Sequence, residues 1–127
     1  MVKEEESLER FFFFFSIDII GASSKKGKIG HIILDNIIES GFQGEIYPVN
    51  PKGGEILGKK VYESIENLPQ GIDLAVIVLP AKIVEETIHQ CGEQGIKHAI
   101  VISSGFSEIG NVEEEEALVD EAEKYGM

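Results

Sequence analysis

The sequence contains a single cysteine, Cys91, so no disulfide can close within the chain, and a reducing, cytoplasmic setting is the expectation. Basic residues are also few: 11 lysines and arginines stand against 23 aspartates and glutamates, a formal net charge of -12. That sign argues against non-specific binding to nucleic acid or to an anionic membrane, both of which need a basic face. No apolar run approaches the ~18 residues of a membrane-spanning helix. The run from Phe11 to Phe15 is apolar, but Glu4, Glu5, Glu6 and Glu9 precede it and no small-residue cleavage pattern is clear, so a signal peptide is rejected.

Groups for chemistry are scarce in the same way. No cysteine–histidine cluster has metal-ligand spacing, and no metal is expected. His31 and His89 fall in helical stretches and His98 at a strand start, each read as a surface or packing histidine rather than a base. Ser103 and Ser104 have no base identifiable in the sequence. No catalytic residue is assigned.

What the sequence does contain is one domain's worth of alternating apolar and punctuated segments, 127 residues that are 43% hydrophobic. Residues 1–15 read as a polar lead-in followed by five phenylalanines, and residues 16–127 as the folded domain. Ile17 to Ile20 is a first strand, buried on both faces, in which Asp18 breaks the apolar pattern; its carboxylate is expected to reach a partner or the sheet's edge. Ile29, Ile33 and Ile37, with Leu34 and Ile38 beside them, predict an amphipathic helix ending near Ser40 and Gly41. Glu45 to Val49 is a second strand, which Pro48 places at its end or at an edge. Residues 55–70 read as an irregular excursion with a helical turn around Ser64 to Leu68.

The continuous apolar run Asp73 to Leu79 is a strand covered on both faces. A helix follows from Pro80 and Ala81, with Val84, Ile88 and Cys91 on its inner side, stopping at Gly92 or Gly95. His98 to Ile102 is a fourth strand, and a last helix is expected to begin near Asn111. Strands alternating with helices predict an α/β fold with a parallel sheet and right-handed crossovers. The chain ends where another strand is expected, so the fourth strand could pair with a second copy and give a homo-oligomer.

In an open parallel sheet, ligands bind beyond the carboxyl ends of the strands. Those ends are Gly21-Ala22-Ser23, Asn50-Pro51-Lys52, Leu79-Pro80-Ala81 and Ser103-Ser104-Gly105, all small, polar or proline-containing. Between the first strand and its helix lies SKKGKIG, where Lys25, Lys26, Gly27, Lys28, Ile29 and Gly30 form a glycine-and-lysine loop. Glycines allow close backbone approach, and the helix start offers free N–H groups and a dipole that favours anions. This junction predicts a phosphate site. It fits neither the G-x-G-x-x-G spacing of dinucleotide enzymes nor a Walker A motif. At the end of the second strand Asn50 and Lys52 replace the acidic residue that holds the ribose hydroxyls of NAD, and a lysine there suits an extra ribose phosphate, as in NADP or coenzyme A.

The combination GAS-x-x-x-GK-x-G, YPVNPK, an apolar strand ending VLPAK, and ISSGF resembles the N-terminal CoA-binding domain of NDP-forming acyl-CoA synthetases. These are the ADP-forming acetate–CoA ligases, related to the succinyl-CoA synthetase α subunit, and the similarity runs from about Leu8 onward. The resemblance implies a Rossmann-like three-layer α/β fold, a mainly parallel sheet of four to five strands with helices on both faces, and coenzyme A as the bound cofactor. Gly21, Ala22, Ser23 and the loop to Gly30 would hold the CoA phosphates. Lys52 would sit near the phosphorylated ribose, Leu79-Pro80-Ala81 beside the nucleotide, and Ser103-Ser104-Gly105 near the pantetheine arm. The family's phosphorylated histidine and ATP-binding parts belong to later domains and correspond to no residue here, so ligase activity would need the remaining domains or a partner subunit. Two other readings stay open: an NADP-binding domain, and an engineered scaffold that keeps the fold without a ligand.

Overall fold

The computed structural model describes residues 15–102, 123, 124 and 126. The lead-in, Phe11 to Phe14, the segment Ser103-Ser104-Gly105 and the helix expected near Asn111 lie outside them. Four strands form one parallel sheet: β1 (Ser16–Ile20), β2 (Glu45–Val49), β5 (Leu74–Ile77) and β6 (His98–Val101), in the order β2-β1-β5-β6. Helix α1 (Ile29–Glu39) links β1 to β2, and α2 (Ala81–Glu93) links β5 to β6.

Side chains alternate across the sheet, so each strand feeds two cores. Ile17, Ile19, Ile46, Leu74 and Val76 point to one face and pack with Leu34 and Ile37 of α1. Ile20, Ala75 and Ile77 point to the other and pack with Val84, Ile88 and Cys91 of α2. Among the described residues α1 covers one face and α2 the other, so the central strand β5 is buried along its whole length, which is why LAVI reads as an unbroken run. Pro48 sits on an edge strand, as expected. Its carbonyl accepts from the Tyr62 N–H at 2.9 Å, so its missing N–H faces outward and removes no bond to β1.

Three expectations differ from the structure. The excursion at residues 55–70 is not wholly irregular: Glu55–Ile56 (β3) and Lys59–Lys60 (β4) pair antiparallel, ahead of a 3-10 turn at Ile65–Asn67. The two-residue connection puts Leu57 at φ 50° and Gly58 at φ 80°, left-handed conformations normally signalled by Asn-Gly. The inner side of α1 is Gly30, His31, Leu34 and Ile37, whereas Ile29 is exposed. The third difference is Asp18. It lies on β1, between β2 and β5, so it reaches no edge; it is fully buried, and neither carboxylate oxygen has a hydrogen-bond partner among the described residues. Burial pushes its carboxyl well above the usual carboxylate range. The Cys91 thiol is pushed up as well, chiefly by burial and then by the charge of Asp18.

The opposite, amino end of the sheet is tied by Asp73. Its Oδ2 accepts from the main-chain N–H of Phe15 at 2.8 Å and of Ser16 at 3.1 Å, while its own N–H donates to Ser16 Oγ at 3.0 Å. Lys97 lies 3.7 Å from the other oxygen but is mostly exposed and adds little. Asp73→Ala orphans the two amides entering β1, and is expected to lower stability by about 1–3 kcal/mol in urea unfolding. Lys97→Ala is expected to change it by less than about 1 kcal/mol.

Candidate functional site

The carboxyl ends of β1, β2 and β5 open into a cleft of about 740 Å³. Gly21, Ala22 and Ser23 form one wall, Lys28, Ile29 and Gly30 a second, and Leu79 with Pro80 a third, while Asn50 closes the β2 side. All were singled out from the sequence. Val78 and Ile102 also line the cleft and were not; each stands beside a strand's carboxyl end, so the same rule about strand ends, applied one residue wider, finds them. Lys25, Lys26, Gly27, Pro51, Lys52 and Ala81 do not line it. The lysines among them are exposed, on the loop and on the turn after β2.

Two glycines let the backbones meet here. A Cβ on Gly30 would lie 2.0 Å from the Gly21 carbonyl oxygen, and one on Gly21, itself at φ 98°, would lie 2.1 Å from that of Val78. The first turn of α1 thus rests directly on the end of β1, with β5 against it. At Gly27, by contrast, an added Cβ would meet nothing within 4 Å and φ is not positive, so its glycine has no steric cause within the protein.

The walls present helix starts. The N-cap of α1 is Lys28 and that of α2 is Pro80; neither gives a side-chain cap, and neither first turn holds an acidic residue. A capping serine or aspartate would satisfy some of the N–H groups at each start; without one they are left for a ligand or water, at the positive end of the helix dipole. The arrangement favours an anion.

The loop between β1 and α1 is fixed by polar contacts. Asn50 Nδ2 donates to the Ala22 carbonyl at 2.8 Å, and Asn50 Oδ1 accepts from the Lys52 N–H at 2.8 Å. Ser23 Oγ accepts from the Lys25 N–H at 3.1 Å, and His31 Nδ1 lies 2.9 Å from the Ser23 carbonyl. His31 is therefore a buried residue of the site's frame, which sequence reasoning missed. Its partner is a main-chain carbonyl, which no residue pattern announces. His89 and His98 are exposed, and His89 pairs with Glu93 one turn on at 3.3 Å.

A family model described as a CoA binding domain matches residues 16–127. The α subunit of acetate–CoA ligase (ADP-forming) I from Pyrococcus furiosus is 50% identical, over 95% of this chain and 28% of that protein. The ADP-forming acetate–CoA ligase of Methanocaldococcus jannaschii is 45% identical, over 88% of this chain and 16% of its own length. Among solved structures, the apo dinucleotide-forming acetyl-coenzyme A synthetase 1 of Candidatus Korarchaeum cryptofilum superposes with a TM-score of 0.87 at 46% identity, covering 94% of this chain and 26% of that one. The chain thus spans less than a third of each of these relatives. Parallel sheet, helices on both faces and close sequence similarity agree, and the chain belongs to the CoA binding domain family.

Proposed function

We propose that this chain binds coenzyme A in the cleft at the strand ends, as the CoA-binding part of an ADP-forming acyl-CoA synthetase. The observation that carries the reading is a cleft between two helix starts that lack side-chain caps and acidic first-turn residues. The pyrophosphate of CoA would lie against the N–H groups of Ser23, Ile29 and Gly30, with Lys28 adding charge. The apolar stretch Val78-Leu79-Pro80 would take the adenine side. Lys25, Lys26 and Lys52, on long exposed side chains, would reach the phosphates from outside the cleft, Lys52 toward the ribose 3′-phosphate.

Asn50 weighs against NAD. It stands where a ribose-binding carboxylate would, and both ends of its amide are already engaged by Ala22 and Lys52. The chemistry of the relatives, formation of an acyl-CoA with turnover of ADP and phosphate, would require parts beyond the cleft. Ser103, Ser104 and Gly105 keep their proposed place near the pantetheine arm.

Calorimetric titration with CoA, dephospho-CoA and NADP tests the reading. Binding of CoA is expected, weaker by about tenfold without the 3′-phosphate, since one well-placed charge contact contributes on the order of 1.4 kcal/mol. Lys52→Ala is expected to weaken CoA by a similar factor and to leave dephospho-CoA unchanged. Binding of NADP without CoA would select the oxidoreductase-type reading, and binding of neither would leave a fold without its ligand.

A further inference from the structure

We propose that His31 is a positioning residue of the phosphate site: its ring N–H holds the Ser23 carbonyl and so fixes the peptide that joins Ser23, on the cleft wall, to Ser24. This rests on the CoA reading above. His31 is the third residue of α1 and is buried, with Nδ1 2.9 Å from the Ser23 carbonyl oxygen. A carbonyl can only accept, so Nδ1 carries the hydrogen.

The consequence follows from the planar trans peptide, in which the C=O of one residue and the N–H of the next point in opposite directions. Holding the Ser23 carbonyl against His31 aims the Ser24 N–H the other way. The preceding peptide is held likewise, because Asn50 Nδ2 binds the Ala22 carbonyl at 2.8 Å and so directs the Ser23 N–H. Among the described residues neither the Ser23 nor the Ser24 N–H finds an acceptor within the protein. Two successive amides are each oriented by a side chain gripping the carbonyl behind it, where the loop meets the cleft wall at Ser23. One grip comes from the residue that follows β2 and the other from α1. Ser23 is held a third time through its hydroxyl, which accepts from Lys25. The same bond also satisfies the buried ring, so only variants that separate ligand affinity from stability distinguish the two roles.

The test uses three variants. Asparagine places Nδ2 where histidine has Nδ1, glutamine carries its donor one bond further out, and alanine has none. His31→Ala and His31→Gln are expected to weaken CoA by about tenfold, the loss of one aligned contact, while His31→Asn returns to within about threefold of the parent. The Ser24 amide resonance of the free protein is expected to move in the alanine and glutamine variants and to return in the asparagine one. Nitrogen-15 spectra of the parent should show the hydrogen on Nδ1. A parent that binds CoA alongside a folded alanine variant with unchanged affinity overturns this proposal alone, as does a parent with the hydrogen on Nε2 only. A parent that fails to bind CoA overturns the CoA reading, and the ligand role of His31 falls with it.

Discussion

Replacing Asp18 with alanine is expected to stabilise the protein at neutral pH by about 2 kcal/mol, raising the melting temperature on the order of 8 °C. The carboxylate is fully buried in the central strand pair, flanked in register by Tyr47 and Ala75, and neither oxygen has a partner among the described residues. An unpaired charge at such a place costs several kcal/mol, from which about 1 kcal/mol is subtracted for the small cavity the shorter side chain leaves.

The pH dependence gives the sharper signature. The folded-state pKa of Asp18 lies above the unfolded value of 3.8, so between the two the native state binds the proton more tightly. In that window stability falls as pH rises, and above the folded pKa the penalty is at its full value. The stability difference between Asp18→Ala and the parent should therefore grow from about pH 4 upward and then level off. Asp18→Asn removes the titration but leaves a buried amide, so it should flatten the same curve with a smaller gain. A difference that is constant with pH would mean that the carboxylate is paired or hydrated in solution.

The second large effect is at Gly30. A methyl group there would meet the Gly21 carbonyl at 2.0 Å, so Gly30→Ala must push α1 off the end of β1. The expected cost is about 3 kcal/mol or more, with loss of CoA binding even where the fold survives. Gly27→Ala is the informative contrast. With open space around it and an ordinary backbone conformation, it should leave the melting temperature unchanged or raise it slightly, since alanine restricts the unfolded chain. If the loop backbone approaches a phosphate at Gly27, that variant loses affinity without losing stability. Thermal unfolding and CoA titration of both variants separate the two roles.

These residues also mark how far the sequence could be read. The four strands and two helices were legible because a strand covered on both faces must be apolar along its length, as Leu74 to Ile77 is, and because Val84, Ile88 and Cys91 repeat at helical spacing. The inner side of α1 was harder. Two of its buried positions are Gly30 and His31, placed by backbone contact and by a hydrogen bond, while the apolar Ile29 faces the cleft. The β3–β4 pair escaped because Leu57 takes a left-handed conformation usually reserved for glycine or asparagine. At the site, glycines and strand ends carried a readable signal. The grips of Asn50 and His31 on main-chain carbonyls did not, since the partner in each case has no side-chain identity.

Amide NMR during a CoA titration shows whether CoA lies in the cleft between the two helix starts. The largest shifts are expected at Gly21, Ala22, Ser23, Ser24, Ile29 and Gly30, smaller ones at Leu79, and none at Gly41 or Gly95, past the far ends of the two helices. Shifts confined to other parts of the surface, or no shifts at millimolar CoA, would contradict binding in the cleft.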